Sequence, residues 1–200
     1  ARKAERKAER KAHKAAAAEA AAPVVAKQTK ACETFEAAPF ARPVVEALEA
    51  AFPAPTEIQS MAWPAAVAGG DLIAVAKTGS GKTRAVGLPL LHRLSAAGAA
   101  GAVRALILSP TRELASQIHT ELGRYAKLVG VASMVVYGGT PLLEQKAALA
   151  KTRPALLVAT PGRLVDLLEK EWLRLSAAAG IVLDEADRLL AMGFKPQLEK

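Results

Sequence analysis

Three groups of residues in this sequence have types and spacings that support chemistry. The first is Ala76-Lys77-Thr78-Gly79-Ser80-Gly81-Lys82-Thr83, with the apolar run Leu72-Ile73-Ala74-Val75 before it and a helix-compatible stretch from Lys82 through Leu94 after it. Strand, glycine loop and helix in that order make a phosphate-binding loop. Gly79 and Gly81 let successive backbone N–H groups turn toward phosphate oxygens with no Cβ in the way. The start of the next helix adds unpaired N–H groups and the positive end of its dipole. Lys82 offers an ammonium to the β/γ-phosphates and Thr83 a hydroxyl to Mg²⁺, while Thr78 and Ser80 complete the loop. The first glycine of the usual pattern is Ala76 here. An ordinary glycine turn in a βαβ unit would use the same string.

The second group, Asp184-Glu185-Ala186-Asp187, follows the run Gly180-Ile181-Val182-Leu183. A carboxylate at that point, opposite a phosphate loop, can act on Mg²⁺ directly or through water. Glu185 can orient or deprotonate an attacking water. The bland alternative is a strand end solvated by acids. The third group is Thr111, Arg112, Gly139, Thr160 and Arg163. Hydroxyls, guanidinium groups and backbone N–H groups at helix starts suit a phosphate-backbone track, and none of them reads a base there. Arg112 could equally pair with Glu113. Gln59 stands apart, one helix upstream of the loop. Its amide can donate and accept, as an adenine edge requires, but a surface glutamine at a helix start has the same spacing.

These residues need elements to hold them. Besides Leu72–Val75, the runs Ala105–Leu108, Met134–Val136, Leu156–Val158 and Gly180–Leu183 read as strands of a parallel sheet. Helical stretches are expected at Pro43–Ala51, Arg112–Val129, Leu142–Ala150 and Arg163–Glu169, with Thr56 capping a further helix. Alternating βα units give an open α/β sheet with helices on both faces. Each chemical cluster then falls at a strand's C-terminal end, where such sheets bind ligands.

Composition narrows the class. The chain has 200 residues, one cysteine (Cys32) and a net charge of +8. No disulfide framework is possible, which fits a reducing compartment. No apolar run approaches the ~20 residues of a membrane span, and no apolar h-region marks a signal peptide. The expectation is an intracellular protein of nucleus, nucleolus or cytoplasm, not a secreted or membrane one. The chain does not begin with Met, so its start is expected to be a fragment or a processed end. Residues 1–30 hold nine Lys/Arg and three Glu, and residues 31–200 hold eighteen Lys/Arg and sixteen Asp/Glu. The basicity belongs to this low-complexity arm, whose period of four stacks Lys3, Lys7 and Lys11 unfavourably. It reads either as an attractor of phosphates or a nuclear address, or as a solvating tail. The globular domain is expected over 31–200.

Taken together, the motifs resemble the first RecA-like domain of the DEAD-box ATP-dependent RNA helicases, a P-loop NTPase fold. Phe52, Pro55, Thr56, Ile58 and Gln59 resemble that family's adenine-reading motif, and Phe35 its isolated upstream aromatic. Ala76–Thr83 resembles its phosphate loop, in which alanine at the first position is usual. Pro110–Ala115, Gly138-Gly139 and Thr160–Arg163 resemble its RNA-contacting motifs, and Asp184–Asp187, continued by Arg188–Phe194, the motif that names it. The resemblance implies ATP and Mg²⁺ as cofactors. It implies that Phe35, Thr56 and Gln59 hold adenine, and that Thr78, Gly79, Ser80, Gly81, Lys82 and Thr83 hold phosphates. Thr83 and Asp184 would serve the metal, and Lys82, Asp184 and Glu185 the hydrolysis. Asp187 would link the ATP site to the RNA side. Thr111, Arg112, Gly139, Thr160 and Arg163 would grip one RNA strand by its backbone.

Two parts of the family pattern are absent: the Ser-Ala-Thr motif beyond Phe194, and the second RecA-like domain with its arginine finger. The sheet is therefore expected to lack a central strand and expose unpaired edges. The chain alone is expected to bind nucleotide weakly, hydrolyse it negligibly and unwind nothing. A non-catalytic RNA-binding or scaffold fragment stays open as an alternative. A DNA helicase or another P-loop ATPase is disfavoured by the setting of Gln59 and by Ala186-Asp187.

Overall fold

The computed structural model describes residues 31–98 and 101–199, so the arm at 1–30 lies outside the described residues. Four short strands form one parallel sheet. They are β1 (Ala105–Leu108), β2 (Ser133–Val136), β3 (Leu156–Ala159) and β4 (Gly180–Leu183), in the order β2-β3-β1-β4. β1 pairs with β3 from Ala105↔Leu156 and with β4 from Ala105↔Gly180. Every residue of β1 and β3 is buried, as strands covered on both faces must be.

The two-residue period of a strand divides the core. Ala105, Ile107, Leu156 and Val158 join one apolar cluster with Leu48, Trp63, Leu91 and Leu122. Leu106, Leu108, Leu157 and Ala159 join the other with Leu149, Leu167 and Leu189. The first face is covered by α1 (Arg42–Ala51), α2 (Glu57–Val67), α3 (Lys82–Ala96) and α4 (Arg112–Leu128). The second is covered by α5 (Leu142–Thr152), α6 (Pro161–Glu169) and α7 (Ala186–Ala191), followed by α8 (Lys195–Leu198). Local chemistry sets several starts. Thr111 Oγ1 accepts from Leu114 N at 3.2 Å, capping α4, and Pro43 and Pro161 occupy first turns where no N–H is needed.

One expected strand is missing. Leu72–Val75 joins no ladder, and Ile73 and Val75 are 92% and 87% exposed. A parallel strand needs a neighbour to hydrogen-bond with, and among the described residues no strand lies beyond β4. β4 shows the same deficit, with alternate residues exposed and Ile181 at 62%. The unpaired edge expected from the sequence is therefore at β4. Beside it, an open cavity of about 390 Å³ lies between α3, β1 and β4, with Leu90, Leu94, Ala105 and Gly180 in its lining.

Candidate functional site

Gly81 takes φ +89° and Gly79 φ +76°, values that only glycine adopts freely, so the loop turns as its composition requires. Gly81 is the N-cap of α3. Lys82 Nζ donates to the carbonyls of Ala76 and, at 3.1 Å, of Lys77. The ammonium thus folds over its own loop. The Ser80 hydroxyl is buried and has no partner among the described residues. Gln59 is 2% exposed. Its Oε1 accepts from Thr56 N at 3.2 Å, and its Nε2 donates to Gly81 O at 3.2 Å. Thr56 is the N-cap of α2 as expected, in a reciprocal capping box: its side chain faces the Gln59 N–H, and the Gln59 side chain accepts from the Thr56 N–H. That one amide joins the start of α2 to the phosphate loop.

Asp184 directly follows β4, its N–H donating to Leu108 O at 2.9 Å. Burial pushes its carboxyl above the usual range, and the neighbouring Glu185 adds to this. The Glu185 N–H (3.2 Å) and the Lys82 ammonium favour the ionised form without prevailing. Glu185 sits in the left-handed region at φ +48°, a strained position for a side chain with a Cβ. Its Oε2 pairs with Arg188 Nη1 at 3.1 Å. Asp187 is exposed in the first turn of α7.

Thr111, Arg112, Thr160 and Arg163 line one open cleft of about 520 Å³ with Pro110, Gly138, Asp166 and Phe194. Gly139 has φ +90°, and a Cβ there would stand 3.4 Å from Arg112 Nη1. Arg112 Nε pairs with Glu113 at 2.6 Å, the alternative that its sequence position left open, yet both side chains stay well exposed. Arg163 is 8% exposed, donates to Thr140 O at 3.0 Å and lies 3.6 Å from Asp166.

Comparison with known proteins fixes the lineage. A family model described as DEAD/DEAH box helicase matches residues 56–200. The chain belongs to that family. It is 44% identical over 176 residues to "ATP-dependent RNA helicase DBP2" of Pyricularia oryzae, covering 86% of this chain and 32% of that protein. It is 45% identical over 152 residues to "ATP-dependent RNA helicase DBP3" of Candida glabrata, covering 76% and 28%. The chain thus spans about a third of the length of these curated relatives. The crystal structure of the RNA-helicase Prp28 from Chaetomium thermophilum bound to ADP matches with a TM-score of 0.78 at 39% identity. That match covers 86% of this chain and 43% of the Prp28 chain. The fold is that of a RecA-like helicase domain.

Within this DEAD/DEAH box domain, Phe35 lies in the core beside α2. It is 4% exposed, its ring centroid 6.2 Å from that of Trp63. Phe40 meets the other side of this contact, its ring 5.0 Å from that of Trp63. Three residues absent from the sequence reading hold the site. Trp63 Nε1 donates to Arg84 O at 3.2 Å. Arg84 lies 4.0 Å over the Phe52 ring and pairs with Glu121 at 2.6 Å. Gln145 reaches the Gly138–Thr140 turn. Only Gln145 left a local signal: it falls at i+3 from Leu142 and i−4 from Leu149, an amide on the apolar stripe of α5.

The half-buried acid of this helicase domain yields a pH prediction. Because the folded pKa of Asp184 is raised, ionisation costs stability at pH values above the unfolded value of about 3.9. Asp184→Asn should raise the thermal midpoint of the ligand-free chain at pH 7 by a few degrees. That gain should shrink as the pH falls toward about 4 and vanish near about 3, below the unfolded value, where both states hold the proton. Scanning calorimetry across this pH range checks it. A lower midpoint at pH 7 would mean that the carboxylate is held favourably.

Proposed function

We propose that this domain binds ATP with Mg²⁺ and one RNA strand by its backbone and, paired with a second RecA-like domain, couples ATP hydrolysis to RNA remodelling. The observation that carries the reading is the single rim: Thr111-Arg112, Gly139, Thr160–Arg163 and Asp184-Glu185 follow the C-terminal ends of β1, β2, β3 and β4, and Lys82 of the phosphate loop lies near enough to Asp184 for its charge to act there. The donor set fits the ligand. Glycines with positive φ, a lysine bonded to loop carbonyls and the unpartnered Ser80 hydroxyl leave polar groups ready for phosphate oxygens. Gln59, with Thr56 and Phe35, is assigned to adenine. Thr83 and Asp184 would hold the metal. Mg²⁺, when bound, neutralises charge on the β- and γ-oxygens.

The side chains then have separate tasks. Lys82 exchanges the carbonyls of Ala76 and Lys77 for phosphate oxygens. Asp184, already desolvated, gains a cationic partner for its charge. Glu185 Oε2 leaves Arg188 and accepts a proton from the attacking water. Asp187, beside Glu185, is assigned to coupling with the RNA side. Thr111, Arg112, Gly139, Thr160 and Arg163 bind the ribose-phosphate chain without reading bases.

A fluorescent-nucleotide titration tests the nucleotide half. The adenine-holding amide predicts tighter binding of ATP than of GTP or UTP, and Lys82→Ala should weaken ATP by about tenfold or more. Equal affinity for the three nucleotides would overturn the adenine assignment. RNA-stimulated turnover by this chain without a second domain, lost in Lys82→Ala, would overturn the need for a partner domain. The Glu185–Arg188 pair favours one further reading, a domain of this fold that binds RNA without turnover. Single-turnover hydrolysis with a second RecA-like domain supplied separates the two.

A further inference from the structure

We propose that Gln145 is a positioning residue for RNA: it fixes the turn that orients Arg163 in the cleft and passes beside Arg112. This rests on the RNA-binding reading above. Gln145 belongs to none of the assigned motifs, yet it is only 9% exposed on α5. Its Nε2 donates to Tyr137 O at 3.0 Å and to Thr140 Oγ1, so both amide hydrogens hold the two ends of the Tyr137–Thr140 turn. Thr140 Oγ1 in turn lies 3.3 Å from Tyr137 O, closing the turn on itself.

The turn bears on both arginines. The Thr140 carbonyl accepts from Arg163 Nη2 at 3.0 Å. Gly139, at φ +90°, passes close beside Arg112. Arg163 is buried, and its Nε and Nη1 carry no hydrogen bond. A buried guanidinium with free N–H groups at a cleft is costly unless an anion meets it. The Asp166 carboxylate stands 3.6 Å from Nε, beyond hydrogen-bond reach, so the hydrogen bond that sets the direction of the group is the one from Nη2 to the Thr140 carbonyl. That carbonyl is set by Thr140, and Thr140 by Gln145. Backbone geometry in the turn would otherwise be loose, because Gly138 and Gly139 precede Thr140.

The test compares variants of the whole chain for binding of a labelled single-stranded oligouridylate by fluorescence anisotropy. Gln145→Met keeps the volume and removes both donated bonds. It should weaken RNA about tenfold and make the plot of log affinity against log salt shallower by about 0.7, one phosphate contact on a single strand. Thr140→Val should act alike, and Thr140→Ser, which keeps the hydroxyl, should bind as the parent does. ATP affinity should be unchanged throughout. Leu149→Ala is the control: it opens a cavity under the same helix without touching the turn, and its RNA affinity should hold even where its melting point drops. Equal RNA losses in Gln145→Met and Leu149→Ala, or an unchanged salt slope in Gln145→Met, overturn the assignment. If Gln145→Met does not fold, the Thr140 pair decides alone: Thr140→Val binding as tightly as Thr140→Ser overturns it. A parent chain that shows no RNA binding removes the RNA reading itself, and with it the role of Gln145.

Discussion

Trp63→Ala is expected to cost about 3–5 kcal/mol, the range for deleting a large buried aromatic. The side chain is fully buried. Phe40 meets it edge-on at 5.0 Å and Phe35 at 6.2 Å, so the variant leaves a cavity flanked by rings that cannot collapse onto alanine. The indole N–H to Arg84 O is also lost, leaving that contact between α2 and α3 unmade. Domains of this size have roughly 5–15 kcal/mol in total, so much of the margin would go. Nucleotide affinity should fall with it, because Thr56 and Gln59 ride on α2 and Gly81 caps α3. Urea denaturation measures the loss. A change under about 1 kcal/mol would show the indole to be replaceable, against the range for such deletions.

Gly81→Ala should reduce nucleotide affinity by at least about tenfold, from two separable causes. At φ +89° and ψ +20° an L-residue pays about 1–2 kcal/mol. The added Cβ would also run into the Gln59 amide, which must then release Gly81 O or Thr56 N. Gly79→Ala separates the causes. It has φ +76° but nothing within 4 Å of its Cβ, so it pays strain alone. Titrations with a fluorescent ATP analogue should rank Gly81→Ala well below Gly79→Ala. Equal losses would mean that Gln59 does not hold the loop.

Local signals in the sequence were sufficient for much of this architecture, and their failures share a cause. Ala105–Leu108 and Gly180–Leu183 are strands over the residues that their apolar runs mark. Leu72–Val75 carries the same kind of run and is no strand, because pairing depends on a neighbour that a local pattern does not contain. The clusters of the rim were visible because glycine, acid and arginine stand in short strings. Arg84 and Trp63 were invisible as site residues, since each works through partners twenty or more residues distant. Phe35 was legible as an aromatic, but its burial against Trp63 is a property of packing, which no spacing encodes. Gln145 was readable in principle: an amide in the apolar stripe of α5 must find buried partners or pay for their absence.

The bare flank of β4 makes the chain adhesive. Its unpaired carbonyl and N–H groups, next to Ile181 and Leu183, can be met by the same flank of a second molecule, and Ile73 and Val75 add oily surface to that encounter. Sedimentation should therefore show a mass that climbs with concentration, and a charged residue at Ile181 should keep the chain monomeric.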